Sequence, residues 1–308
     1  MSEPSVAILL CTYNGEAFLR EQLRSVKEQT WTNWRLWVSD DGSQDNTLRL
    51  LQDAKQEWNE HVEILYGPKK GYATNFLALT NYHEIEADYY AFCDQDDIWF
   101  ADKLENALKA LENMPEETPA LYCSRTELIN EDGAKIGLSP NFTKKPSFAN
   151  ALVQSIGGGN TMVFNGATRR LLRYAGADID VPSHDWWTYL LVSGCDGVVV
   201  FDTKPSVQYR QHRNNQMGSN NSITAQLTRM NRLFSGDFRD WNKRNLKALN
   251  QVHNLLTAEN QQTLNDFAKI SDAPSFFLRL ICFLRSGVYR QTLLGNLGIL
   301  AAALSGKL

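Results

Sequence analysis

Tyr89-Tyr90-Ala91-Phe92-Cys93-Asp94-Gln95-Asp96-Asp97-Ile98-Trp99 joins a short apolar run to three carboxylates within four positions. A continuous apolar run of this length, bounded by polar residues, reads as a strand buried on both faces. Three acids so close repel one another unless a cation offsets them, so a cluster at a predicted strand end suggests a divalent metal site. Oxygen ligands favour Mg²⁺ or Mn²⁺ over zinc. Such ions commonly take one or two protein carboxylates and complete their shell with substrate phosphates, which makes a nucleoside diphosphate the natural ligand. A solvated acidic turn capping a helix that begins near Ala101 accounts for the same residues equally well.

The same unit recurs upstream. Apolar runs at 6–11, 35–39 and 62–66 alternate with helical patterns near 16–29, 45–58 and 72–83. Continuous apolar strands separated by helices indicate a parallel sheet covered on both faces, hence a doubly wound α/β domain. Ligands bind such sheets at the carboxyl ends of the strands. Three polar clusters fall there: Thr12-Tyr13-Asn14-Gly15, Asp40-Asp41-Gly42-Ser43 and Asp94 to Asp97.

After Leu111 the rhythm changes. Runs at 121–126 and 135–138 flank Asn130-Glu131-Asp132-Gly133, a tight hairpin signal. Gly157-Gly158-Gly159-Asn160 precedes a strand at 161–164, and 197–201 is a further buried strand. From Ser222 the pattern is helical to the end, with Pro274 the one obvious break. The expected organisation is a nucleotide-binding and catalytic domain at 1–218 and a helical region at 219–308.

Composition narrows the function. A net charge of -4 over 308 residues argues against a nucleic-acid partner. Five widely spaced cysteines without a CxxC pair fit a reduced, cytoplasmic compartment. The run at 6–10 is too short for a secretory core. Residues 275–308 carry Arg279, Arg285, Arg290 and Lys307 and no acid among many apolar residues. Their longest uncharged run, 291–306, falls short of the roughly 20 apolar residues a spanning helix needs. The segment can lie on the surface of an anionic bilayer, such as the inner face of the cytoplasmic membrane, or pack on the domain or in an oligomer interface.

The order Cys11-Thr12-Tyr13-Asn14-Gly15-Glu16, Ser39-Asp40-Asp41-Gly42-Ser43-Gln44-Asp45 and Asp94-Gln95-Asp96-Asp97 resembles the family 2 glycosyltransferases, which have the GT-A fold. His184-Asp185-Trp186-Trp187 and Tyr209-Arg210-Gln211-His212-Arg213-Asn214-Asn215 resemble the branch of bacterial rhamnosyltransferases that build O-antigen and related surface polysaccharides. The resemblance covers residues 5 to 218 and implies a metal-dependent inverting transfer from a nucleotide sugar, dTDP-L-rhamnose foremost, to a lipid-linked glycan. A UDP-hexose or UDP-N-acetylhexosamine donor is the runner-up. A nucleotidyltransferase would ordinarily show a Gly-rich loop with a basic residue after the first strand, where this chain has Cys11 to Glu16.

The resemblance also implies roles. By their own chemistry Thr12, Tyr13 and Asn14 can hold a nucleobase by stacking and hydrogen bonds, or form an Asn-Gly turn into the next helix; by resemblance Asp41 accepts from the base, whereas Asp40 reads as structural and Asp45 as a helix N-cap. Gly71 and Asn75 lie near the diphosphate-sugar, with Thr74 where many relatives have Arg. Asp97 ligates Mn²⁺ or Mg²⁺, Asp96 meets the ribose or the metal shell, Asp94 supports them, and His212 is a further ligand. Arg210 and Arg213 meet phosphate. Asp185 is the general base, with Trp186 and Trp187 as an aromatic surface for the acceptor. Gly157, Gly158, Gly159, Asn160 and Thr161 allow close approach of backbone to substrate, or form a plain turn.

Overall fold

A computed structural model describes residues 3–212 and 237–308. Arg213, Asn214 and Asn215, the start of the expected helix at Ser222 and the expected boundary at 218/219 lie outside them.

The upstream rhythm is realised as β1 (Val6–Thr12), α1 (Leu19–Lys27), β2 (Trp34–Asp40), α2 (Thr47–Trp58), β3 (Val62–Tyr66), α3 (Tyr72–Asn81) and β4 (Tyr89–Cys93). Strands β3, β2, β1 and β4 pair in parallel in that order. Side chains alternate across a strand, and both sides of this sheet are covered. Ala7, Leu9 and Cys11 of β1 enter one core, shared with Trp37 and Phe92, while Val6, Ile8 and Leu10 enter the other, shared with Val38 and Ala91. Each such fully buried aliphatic or Phe side chain contributes about 1.5–3 kcal/mol. Helix α1 begins at Leu19 because Asn14 turns through φ +48° and Glu16 is used as a cross-link instead. Its N–H donates to Asp45 Oδ2, and its carboxylate accepts from Asn46 N–H.

The second half adds β5 (Ile98–Trp99), α4 (Lys103–Leu111), β6 (Ala120–Ile129), β7 (Lys135–Leu138), α5 (Phe148–Ala151), β8 (Val163–Asn165), α6 (Gly166–Ala175), α7 (His184–Gly194) and β9 (Val198–Arg210). The expected hairpin is β6 with antiparallel β7, turning at Gly133 with φ +82°. Strand β8 is shorter than expected, since Gly159–Thr161 form a single 3₁₀ turn before it. The sheet continues from β4 through antiparallel β8 to β6, then β9 and β5. It is a mixed, mostly parallel sheet.

Helices α8 (Asp237–Gln251), α9 (Ala258–Asp272), α10 (Phe276–Ser286) and α11 (Leu293–Leu304) complete the described chain. Pro274 falls between α9 and α10. Side chains of Thr257, Ser275 and Thr292 cap the last three helices. Leu249, Phe267, Ile270, Ile299 and Ala302 enter the same core as Trp187 and Phe92, so these helices extend one covering layer of the sheet. Among the described residues no helix is long and apolar enough to cross a membrane.

Candidate active site

The carboxyl ends of β1, β2 and β4 open into one cavity of about 1340 Å³, whose far side is formed by Gly157 to Asn160 and the start of α7. Three chain segments that the sequence placed at strand ends therefore do converge.

Asp40 organises the first wall. Its Oδ1 accepts the N–H groups of Gly42 and Ser43, and its Oδ2 accepts the hydroxyls of Thr12 and Ser43. Thr12 is buried, with its hydroxyl committed to Asp40, so its side chain does not present a donor to a base. Tyr13 is 58% exposed and offers its ring to the cavity, while Gln95 grips its backbone from both sides. Asn14 accepts from Gln44 N–H. Asp41 accepts the N–H groups of Lys69 and Gly71 at 2.6 and 2.9 Å, which folds the loop carrying Lys69 over the cavity. Lys69 is an exposed cation lining the cavity that the motif reading missed. Asn75 lines the wall, but its amide is locked to β2, accepting from Ser39 Oγ and donating to Ser39 C=O. Asp45 does not cap α2 as its terminal residue; one position earlier, its Oδ1 accepts both the N–H and the hydroxyl of Thr47.

The acid loop divides in two. Asp94 and Asp96 face the cavity, and Asp96 Oδ2 lies 2.6 Å from His212 Nε2. Burial, then the charges of Asp96 and Asp185, push the Asp94 carboxyl up to about 8. Asp97, expected as the principal metal ligand, is fully buried beneath them. Its Oδ2 accepts from the Asn160 amide at 2.6 Å and its Oδ1 from Arg210 N–H at 3.1 Å. Burial, followed by Asp96 and Asp94, raises its carboxyl well above the ordinary range. Among the described residues no group of three His, Cys, Asp or Glu side chains is arranged to hold an ion by itself. Asp94 and Asp96 do line the cavity with carboxylate oxygens, the donor type that Mg²⁺ and Mn²⁺ take together with phosphate oxygens.

Below the loop sits Lys103, wholly buried, its ammonium 3.5 Å from the Trp99 ring centroid and donating to Asn160 C=O at 2.5 Å. Burial lowers it to about 7, against the raising pull of Cys93, Asp97 and Asp94. A lysine in the first turn of an amphipathic helix gives no sequence signal of such a role.

Arg210, expected to meet phosphate, is instead a buried clamp. It donates to Asp96 C=O, Glu131 C=O and the Glu21 carboxylate and lies over the Phe18 ring. Trp187 is wholly inside the core and cannot carry a sugar; Trp186 reaches the cavity wall but is 4% exposed, with its indole N–H donating to Ala151 C=O. Helix α7 is packed on nearly every side, which sends both rings inward.

Asp185 opens α7 and faces the cavity. Its Oδ1 accepts from Trp186 N–H at 2.7 Å and its Oδ2 from Gly159 N–H at 3.2 Å, and each oxygen keeps a further lone pair. Beside it His184 stacks on Phe76 at 3.9 Å and meets Phe92 edge-on, with neither ring nitrogen bonded. Burial lowers it to about 4 in spite of Asp185, so it is neutral at pH 7.

The glycosyl transferase family 2 model matches residues 7–174, which contain all three strand-end clusters. A dTDP-rhamnosyl transferase of Shigella flexneri, RfbG, is 32% identical over 229 residues, covering 72% of this chain and 78% of its own. Among solved structures, S. aureus TarS in complex with UDP superposes with a TM-score of 0.53 at 13% identity, over 92% of this chain and 89% of that one. A mannosyltransferase of Pyrobaculum calidifontis in complex with GDP-Man and Mn²⁺ does so at 0.51 and 16%, over 99% and 86%. Such identities speak to the fold, which is GT-A. The family match, the RfbG relationship and the acids gathered at the strand ends make this chain a glycosyltransferase of family 2.

Proposed function

We propose that the protein transfers a sugar, L-rhamnose from dTDP-rhamnose, onto a hydroxyl of a lipid-linked glycan during bacterial surface polysaccharide synthesis, at the cytoplasmic side of the membrane. The similarity to RfbG supports the donor. One observation carries the chemistry: Asp185 and the pair Asp94 and Asp96 belong to the same cavity, on separate elements, with the glycine turn between them. A bound Mn²⁺ or Mg²⁺ would offset negative charge on the departing nucleoside diphosphate.

Asp94 and Asp96 with His212 are the residues that would hold the ion. Tyr13 would stack on the base, and Lys69 would meet phosphate. Asp185 takes the proton of the acceptor hydroxyl; the oxygen forms its bond to the anomeric carbon as the bond to the β-phosphate oxygen breaks, with inversion. Gly159 N–H fixes the carboxylate that receives this proton. With Trp187 buried, Trp241, Phe142 and Phe201 are cavity-lining rings that an acceptor sugar could meet instead.

Asp185→Asn tests the reading. Turnover with dTDP-rhamnose is expected to fall by roughly 10²–10⁴, the usual contribution of a general base, while dTDP binding in Mn²⁺ stays near wild type. Unchanged turnover removes Asp185 as the base. A donor panel including UDP-glucose and UDP-N-acetylglucosamine tests the sugar; preference for a UDP-sugar overturns the rhamnosyl assignment.

A further inference from the structure

The basic, apolar tail folds as α10 and α11, and only part of its apolar surface packs on the protein. Ile299, Ala302, Ala303 and Leu308 enter the protein core. Among the described residues the other face carries exposed apolar side chains. Of the thirteen large hydrophobic side chains exposed among the described residues, eight lie between 276 and 297. Phe277, Ile281 and Leu284 follow the i, i+4, i+7 spacing of one helical stripe on α10, while Leu293, Leu294 and Leu297 form its counterpart on α11. Phe277 is 74% and Leu293 77% exposed. Exposed apolar surface gathered in this way marks an interaction site rather than ordinary surface scatter.

The surrounding charge says which partner. Residues 275–308 contain four basic residues and no acid. The turn between the helices is bonded to a further basic pair: Lys144 donates to Arg290 C=O, and Tyr289 donates to Lys145 C=O, both lysines being exposed. The nearest acid with a partner, Asp266 of α9, is buried and lies 3.7 Å from Arg285 and 3.9 Å from Lys269. Asp272, three residues before this segment, is an exposed acid, and the exposed Lys144, Lys145 and Lys307 outnumber it, so the surroundings of the apolar face are net positive and complement an anionic lipid surface.

We infer that the α10–α11 hairpin docks in the interface of an anionic bilayer, with Phe277, Ile281, Leu284, Leu293, Leu294 and Leu297 entering the acyl boundary and the exposed Lys144, Lys145 and Lys307 at the level of the lipid headgroups. Arg290 lines the active-site cavity, and Gln291 N–H donates to Gln154 of its rim at 2.9 Å. Docking therefore brings the cavity mouth to the headgroup level, where a lipid-carried acceptor presents its sugar. That consequence rests on the proposed transfer; the docking itself does not.

Full-length protein mixed with vesicles of phosphatidylglycerol and phosphatidylcholine is expected to pellet with them and to bind pure phosphatidylcholine at least about tenfold more weakly. Phe277→Glu or Leu284→Glu is expected to lower partition to the anionic vesicles about tenfold, with the thermal midpoint unchanged. Absence of binding, equal binding to neutral vesicles, or light scattering that gives a dimer which Leu284→Glu returns to a monomer overturns the inference. Should the substituted chains fail to fold, the wild-type comparison of anionic with neutral vesicles decides alone.

Discussion

Gly159 N–H donates to Asp185 Oδ2 at 3.2 Å, and only glycine fits where it does so, because a Cβ at 159 would collide with His184 Nε2. The glycine turn is thus held against the carboxylate by the histidine beside it. Gly159→Ala must push His184 off the Phe76 ring or move the turn. Turnover is expected to fall at least about tenfold, with a stability loss of about 1–3 kcal/mol from overpacking. Steady-state kinetics with urea unfolding on the same protein checks both; an alanine variant of wild-type activity refutes the positioning role.

The division of the acid loop predicts opposite failures for neighbouring residues. Asp96→Asn is expected to weaken Mn²⁺-dependent dTDP binding strongly, since Asp96 faces the cavity beside His212, and to leave stability nearly unchanged. Asp97→Asn is expected to cost about 1–3 kcal/mol of stability, because a buried acceptor of two hydrogen bonds is altered. Calorimetric binding and urea titrations of the two variants distinguish them. Equal loss of cation-dependent binding with intact stability in Asp97→Asn would return the ligand role to Asp97.

Lys103 is a buried amine under this loop, its protonation disfavoured by burial and favoured by Cys93, Asp97 and Asp94. Lys103→Met keeps the volume and loses both the bond to Asn160 C=O and the contact with the Trp99 face. The expected cost is about 2–4 kcal/mol in urea unfolding. A variant as stable as wild type would show that the loop does not depend on this amine.

His184 predicts a pH dependence. Its folded value of about 4 lies below the ordinary 6.5, so between those values the unfolded chain takes up a proton that the native state does not. Stability contributed by keeping this ring neutral is therefore complete above pH 6.5 and lost as pH falls towards 4, by about 3 kcal/mol in total. His184→Phe, which retains the stack on Phe76, should flatten this part of the stability profile relative to wild type. Parallel profiles for the two proteins count against the assignment.

The fold was legible because its elements announce themselves locally. Short continuous apolar runs such as 6–11 and 89–93, separated by helical patterns, read as strands covered on both sides, and the polar clusters after them then fall at the carboxyl ends of a parallel sheet. The positions of Asp40 at the end of β2 and of Asp185 at the start of α7 were legible for the same reason, since each lies at the last residue or first turn of a well-marked element, whereas the contact of Asp185 with the glycine turn was not. Arg210 and Trp187 were not: a basic residue near a motif and a tryptophan after an acid look like ligand contacts until the layer that covers them is known.

By itself, then, the sequence determined the parallel core, the hairpin at Gly133, and the gathering of acids and glycines around one crevice, because periodicity and turn chemistry act over a few residues. Which acid looks into the crevice was decided only in three dimensions. Asp97 is drawn inward by Asn160 and Arg210, 63 and 113 residues away along the chain, and Asp96 is left to His212, 116 residues away. The direction of a side chain in an irregular loop follows from such distant partners, as does the division of α10 and α11 into a face that packs and a face that does not.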